Sequence, residues 1–241
     1  SRGLGDVYKR QGKSTLMKAM LQILDKHNVH GTGPTGAPAG YPVTLDGKAP
    51  AEQRRAIAYI EQRSDLDRNF PTSVFDTVLM GTYPRLGLFH RPGKAEREAA
   101  TQALKDVDMW DFRHRHISEL SGGQFQRVLF ARAIVQDAEY IFLDEPFVGI
   151  DVPSEKTIVT LLRQMADAGK HVVVVHHDMN TVRGYYNDLI VLNGELVAAG
   201  PTEEVFVPDV LQKAFGALVI REPSAPAHPT PRQAALQEET A

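Results

Sequence analysis

The chain has 241 residues, 42% hydrophobic, 24% charged and 7% aromatic, which excludes disorder throughout and fits one domain with an appendage at ~100–200 residues per domain. Its 27 basic against 30 acidic side chains leave a net charge of −3, with no basic excess that would point to nucleic acid, and the absence of cysteine excludes disulfide frameworks, thiolate zinc sites and cysteine nucleophiles. Purely aliphatic runs such as Val172 to Val175 fall far short of the ~20 apolar residues of a membrane span, so any membrane role must come through a partner.

The sequence opens at Ser1 and reaches its first methionine at Met17. Ser1 to Gln11 has neither the apolar core of a signal peptide nor the alternation of a strand. From Ser14, the spacing of Leu16, Met17, Met20, Leu21 and Leu24 predicts one apolar helix face, fading near His27 before a Gly/Pro-rich loop from Gly31 to Gly40. Tyr41 to Leu45 reads as an edge strand turning at Asp46-Gly47, and Ala56 to Ile60 as a short buried strand. Residues from about 63 to 120 read as an inserted helical subdomain. Helical patterns run over Val74 to Met80 and Ala95 to Met109, separated by Pro71, Pro84 and Pro92, and nothing alternates like a strand.

After Ser121, helices and strands alternate. A helix from Gly123 to about Gln136 leads to the apolar strand Tyr140 to Leu143. An amphipathic helix carrying Ile158, Val159, Leu161, Leu162, Met165 and Ala166 stops at Gly169, and His171 to His176 is expected to be another buried strand. Asp188 to Asn193 and Leu196 to Ala199 read as a hairpin about Gly194-Glu195. Alternation with continuous apolar strands predicts an α/β fold with a mainly parallel sheet covered on both faces. The stretch 221–241, with four prolines among Ala, Gln and Glu, reads as a disordered tail.

Three short segments carry chemistry. Gly12-Lys13-Ser14-Thr15 opens the first helix, where outward N–H groups and the helix dipole favour an anion. A lysine there reaches β/γ-phosphates, and the serine hydroxyl ligates Mg²⁺. Asp144-Glu145 follow a buried strand at its carboxyl end, where an open α/β sheet places ligand chemistry; Asp144 suits Mg²⁺ and Glu145 suits a general base acting on water. Leu120-Ser121-Gly122-Gly123-Gln124 is the most specific signal, because paired glycines at a helix start let the backbone approach an anion while Ser121 and Gln124 add polar contacts.

With this pentapeptide lying between the lysine and acid motifs, the chain resembles the nucleotide-binding subunit of ABC transporters, a P-loop NTPase cassette, from Gly12 to about Gly216. Gln62 matches the family's Q-loop glutamine, Leu120 to Gln124 its signature, Tyr140 to Glu145 its Walker B strand and catalytic acid, Gly149-Ile150-Asp151 its D-loop, and His177 its switch histidine. The resemblance implies a head-to-tail pair of cassettes. ATP and Mg²⁺ then lie between Lys13, Ser14, Gln62, Asp144, Glu145 and His177 of one copy and Ser121 to Gly123 of the other. Thr15, Gln124 and Asp151 complete the implied nucleotide contacts, and Gln62 joins Ser14 and Asp144 around Mg²⁺. ATP glues the closed pair, and hydrolysis reopens it. A narrower resemblance, from Asn69 through Gly81 and again at Leu86-Gly87-Leu88-Phe89 and Arg91-Pro92, is to cassettes of manganese, zinc and iron importers, in which this surface receives the permease. It implies a peripheral subunit at the cytoplasmic face of a bacterial membrane, working with transmembrane permease subunits, indirectly with an extracytoplasmic substrate-binding protein, and not with nucleic acid.

The sequence departs from that family at its start. Val7 stands where the phosphate loop has a glycine, and eleven residues cannot supply the family's leading antiparallel strands. Residues 1–11 therefore read as a non-native leader joined to an ABC domain spanning 12–220, with weakened ATP binding expected. The alternatives are a cassette importing another solute, a non-transport ABC ATPase and a catalytically impaired fragment. Gly31 to Gly36 fits G-x-G-x-x-G but follows a helix, the wrong context for a dinucleotide site. His171, His176, His177 and Asp178 do not converge as metal ligands, because successive strand residues point to opposite faces.

Overall fold

The computed structural model describes residues 13–21, 44–61, 70–87 and 90–216. The expectations for Ser1 to Gly12, the Gly31–Gly40 loop, Gln62 and the stretch 221–241 lie outside these residues. Described residues through Met179 belong to one compact unit and those from Asn180 to another.

In the first unit, α1 (Lys13–Met20) is followed by the strands β1 (Ile57–Ile60), β2 (Tyr140–Asp144) and β3 (His171–Val175), which form a parallel sheet in the order β1-β2-β3. All five residues of β2 are buried, as expected of a central parallel strand. Its Tyr140 and Phe142 pack with Met17 and Leu21 of the α1 segment, while Ile141 and Leu143, pointing the other way, are 1% and 0% exposed. Leu16, expected on the apolar face, is 40% exposed; one residue turns a helix by ~100°, so Met17 and Leu21 claim the sheet and Leu16 swings off it. The expectation of a buried β3 is also corrected. β3 is an edge of the described sheet and half-exposed, with Val173 at 39%.

The turn at Asp46-Gly47 forms as read. Leu45 and Lys48 exchange two main-chain hydrogen bonds, and both central residues have positive φ, 47° and 77°, the geometry of a Asp-Gly hairpin turn. Tyr140 donates its phenolic hydrogen to the Asp46 carboxylate, and that bond pushes the phenol up to about 12.

Between β1 and β2, within that same unit, lie α2 (Val74–Leu79), α3 (Tyr83–Leu86) and α4 (Lys94–Asp106). Ser73 caps α2 by accepting from the Asp76 N–H at 3.0 Å. Pro84 does not break a helix but sits in the first turn of α3, where its missing N–H costs nothing. Both α2 and α4 pack on α5 (Gly122–Gln136), which also runs against β1. Gly81 allows this closeness, since a Cβ there would lie 2.3 Å from the Arg132 carbonyl oxygen. After α5, Asp137 turns left-handed at φ 54° and takes Lys170 Nζ at 2.5 Å and an Arg85 guanidinium nitrogen at 3.5 Å. α6 (Val152–Asp167) packs on β3 and ends before Gly169, whose φ is 89°.

The second unit holds α7 (Val182–Tyr185), the expected antiparallel hairpin of β4 (Asp188–Leu192) and β5 (Leu196–Pro201), then α8 (Thr202–Val205) and α9 (Pro208–Phe215). Val191, Val205 and Ala214 form its core. Among the described residues no helix is long and apolar enough to cross a membrane.

Candidate functional site

Parallel pairing sets Asp144 level with Val175, so the carboxyl ends of β2 and β3 open side by side. Asp144 and Glu145 leave one strand, and His176, His177 and Asp178 leave the other. Glu145 has a φ of 47° and donates its N–H to the Val175 carbonyl at 3.1 Å. A positive φ on a residue with a Cβ is uncommon; here it turns the chain sharply at the strand end.

The start of α1 meets these strand ends. Ser14 Oγ donates to Asp144 Oδ1 at 2.9 Å, and Asp144 is only 1% exposed. Lys13 Nζ donates to the His176 carbonyl at 3.4 Å. Burial pulls the Lys13 ammonium below its ordinary value of 10.5, opposed by the charges of Glu145 and then Asp144. Burial likewise lowers His176, helped by His177 and Lys13 and opposed by Asp178. A cleft of about 310 Å³ lies beside these groups, lined by Glu145, Phe147, Gly149, Glu155, His177 and Asp178 among others. The Lys13 ammonium gathered at these strand ends can neutralise phosphate, and the paired Ser14 hydroxyl and Asp144 carboxylate oxygens are the hard donors that Mg²⁺ takes. Thr15 lies on α1, whereas Gly12 and Gln62 fall outside the described residues.

The remaining predicted residues gather elsewhere. Ser121 is the N-cap of α5: its Oγ accepts from the Gln124 N–H at 3.2 Å, and Gln124 Oε1 accepts from the Ser121 N–H at 2.9 Å. The side chains expected to offer polar contacts therefore first cap their own helix. Asp151 does the same for α6, accepting from the Ser154 N–H at 3.1 Å. A Cβ on Gly123 would lie 2.7 Å from the Gly149 carbonyl oxygen, and Gly149 itself has φ 76°. The Gly123 position thus serves a close backbone approach within the chain, where the sequence reading saw only an approach to an anion. Phe147, whose ring meets that of His176 5.6 Å away, is also a site residue that the sequence does not single out, and His176, weighed there only as a metal ligand, joins it. No local pattern marks Phe147.

Comparisons with known proteins agree with this geometry. Residues 11–148 match the ABC transporter family. Over 205 residues the chain is 49% identical to the manganese transport system ATP-binding protein MntB of Listeria innocua, covering 85% of this chain and 80% of that protein. It is 45% identical to the zinc transport system ATP-binding protein TroB of Treponema pallidum, covering 85% and 73%. Among solved structures, one described as a metal-chelate type ABC transporter in an inward-facing conformation superposes with a TM-score of 0.65 at 27% identity, covering 86% of this chain and 75% of that one.

Proposed function

This chain belongs to the ABC transporter family as an ATP-binding, ATP-hydrolysing subunit, and on that premise we propose that it drives import of a divalent metal (manganese, zinc or iron) through a separate permease. The observation that carries the ATPase part of the reading is the Ser14–Asp144 hydrogen bond of 2.9 Å, which joins the proposed phosphate-binding helix to the acid-bearing strand, and the cargo rests on the relatives. Manganese and zinc appear in the names of relatives that share almost half of its aligned residues.

In this reading Lys13 reaches the β/γ-phosphates, and Ser14 and Asp144, with Gln62, hold Mg²⁺. When bound, Mg²⁺ supplies charge neutralisation on the phosphate oxygens. Glu145 accepts the proton of the attacking water, held at the strand end by its own N–H bond to Val175. His177 orients the γ-phosphate. Thr15 and Asp151 support the nucleotide end. Ser121 to Gln124 face the ATP held by a second copy, in a head-to-tail pair. In the stretch from 63 to 120, Phe70, Met80 and Tyr83 are exposed at 55%, 37% and 50%, apolar side chains available to the permease at the inner face of the membrane. An extracytoplasmic binding protein delivers cargo to that permease and does not touch this chain.

Two measurements test the reading. Lys13→Ala in the full chain should abolish ATP·Mg²⁺ hydrolysis. Uptake of radiolabelled manganese, zinc and iron, with and without the gene, should fall for at least one metal and recover on complementation. Unchanged uptake of all three would assign the cassette to another cargo.

A further inference from the structure

Two residues beyond Glu145, Phe147 is 8% exposed and makes ring contacts with two different parts of the fold. On one side it lies nearly parallel to Phe130 of α5, with centroids 6.4 Å apart and 16° between the planes. On the other it meets the ring of His176 edge-on, at 5.6 Å and 82°. His176 is fixed from a further direction through its carbonyl, which accepts from Lys13 Nζ at 3.4 Å, and its ring lies 5.9 Å from that of His177. The Glu145–Asp151 loop touches α5 again where Gly123 approaches the Gly149 carbonyl. Two points of α5, its first turn and Phe130, are therefore packed against the loop that leaves Glu145.

We propose that Phe147 is a positioning residue for hydrolysis, transmitting the placement of α5, and so of the signature residues at its start, to the turn that carries His176 and His177. The proposal rests on the reading of Glu145 and His177 as the residues that act on ATP. Phe147 also walls the cleft beside Glu145 and His177, so a shift of its ring alters the chamber itself. An aromatic ring suits this task because it is rigid, and edge-to-face contact fixes orientation where an aliphatic side chain would only fill volume. Small displacements of groups around reacting atoms are enough to slow catalysis without weakening ground-state binding.

The test is steady-state hydrolysis of ATP·Mg²⁺ by the full chain. Phe147→Leu and Phe130→Leu should each lower kcat by about three- to tenfold while KM stays within about twofold. The double variant should be no slower than Phe147→Leu alone, because both break one relay. Phe147→Tyr keeps the ring and should retain kcat, whereas Phe147→Met, which fills most of the volume without a ring, should stay as slow as Phe147→Leu; a purely volumetric role would rescue both. A wild-type kcat in Phe147→Leu, additive effects in the double variant, or an equal rise in KM would each overturn the proposal. Should Phe147→Leu not fold, the contrast between Phe130→Leu and Phe147→Tyr carries the same decision. Glu145→Gln separates the two levels. If it hydrolyses ATP normally, the reading of the site fails; if it is inactive while Phe147→Leu is unimpaired, the positioning role alone fails.

Discussion

Asp144 takes its hydrogen bond from Ser14, 130 positions away in sequence, whereas Ser121 and Gln124 satisfy one another across three. The two ends of the proposed composite site are thus made differently. The strand-end cluster exists only when α1, β2 and β3 are assembled, and its acid is buried. The signature end is a helix start that specifies itself and then presses one glycine against the neighbouring loop. Substitutions at the first end should cost activity and global stability together. Those at the second should cost less stability where they remove only a cap, and act on function through packing where they crowd its glycine.

The largest effect is expected at Glu145. Glu145→Gln keeps the shape and the main-chain bond to Val175 but removes the base, so hydrolysis should fall ~10²–10⁴-fold with ATP binding retained. Measured turnover beside nucleotide affinity decides it, and parallel loss of both would move Glu145 from chemistry to binding.

Next comes Ser14→Ala, which strips a hydrogen bond from a carboxylate that is 1% exposed. Bonds to charged groups contribute ~1.5–3 kcal/mol, so the urea midpoint should drop accordingly without any nucleotide present. An unchanged midpoint would mean that Asp144 is satisfied equally well without the hydroxyl, and would erase the contrast between the two ends.

Much of this layout was legible in residue patterns, for identifiable reasons. Tyr140 to Leu143 reads as central because only a strand buried on both faces is apolar at every position. The cap-forming Ser-x-x-Gln at Ser121 and the Asp46-Gly47 turn are local codes, each contained in a few residues. β3 is more exposed than its sequence suggests because four consecutive valines look alike in a central strand and an edge strand; burial is decided by the neighbour on the open side. Asp151, with Pro153 in the next turn and Glu155 after it, is a helix-start pattern as well as a match to the family's D-loop, and sequence does not rank the two. Neither the Gly123–Gly149 approach nor the Phe130–Phe147–His176 stack leaves any spacing to recognise, since each is a tertiary distance between segments with unrelated periodicities.

Gly123→Ala sharpens the comparison from the other side. Its Cβ would lie 2.7 Å from the Gly149 carbonyl oxygen, a backbone atom that cannot rotate away. Overpacking of this kind costs ~1–3 kcal/mol, and the relief must come from moving the loop beyond Glu145. Thermal unfolding together with hydrolysis should show a modest loss of stability and a disproportionate loss of rate. Ser121→Ala is the smaller counterpart, costing ~1 kcal/mol through the cap alone. If Ser121→Ala proved as damaging as Ser14→Ala, the signature end would depend on more than its own helix.

The smallest effect concerns Asp151, where a local cap is linked to pH. The Ser154 hydroxyl, with the Ser154 N–H at 3.1 Å, holds this exposed carboxyl below its ordinary value of 3.8. A carboxyl depressed in the folded chain contributes stability that is fully present above its unfolded value and is lost as pH falls through its folded value. Asp151→Asn keeps a capping oxygen but cannot titrate. The stability difference between wild type and Asp151→Asn should therefore be flat above about pH 5 and shrink as the solution is acidified below 3.8. Chemical unfolding of both proteins at a series of pH values measures this directly. A difference that stayed constant to the lowest accessible pH would mean that the charge gains nothing from Ser154. The α6 cap would then rest on geometry alone, as the Ser121 cap of α5 does.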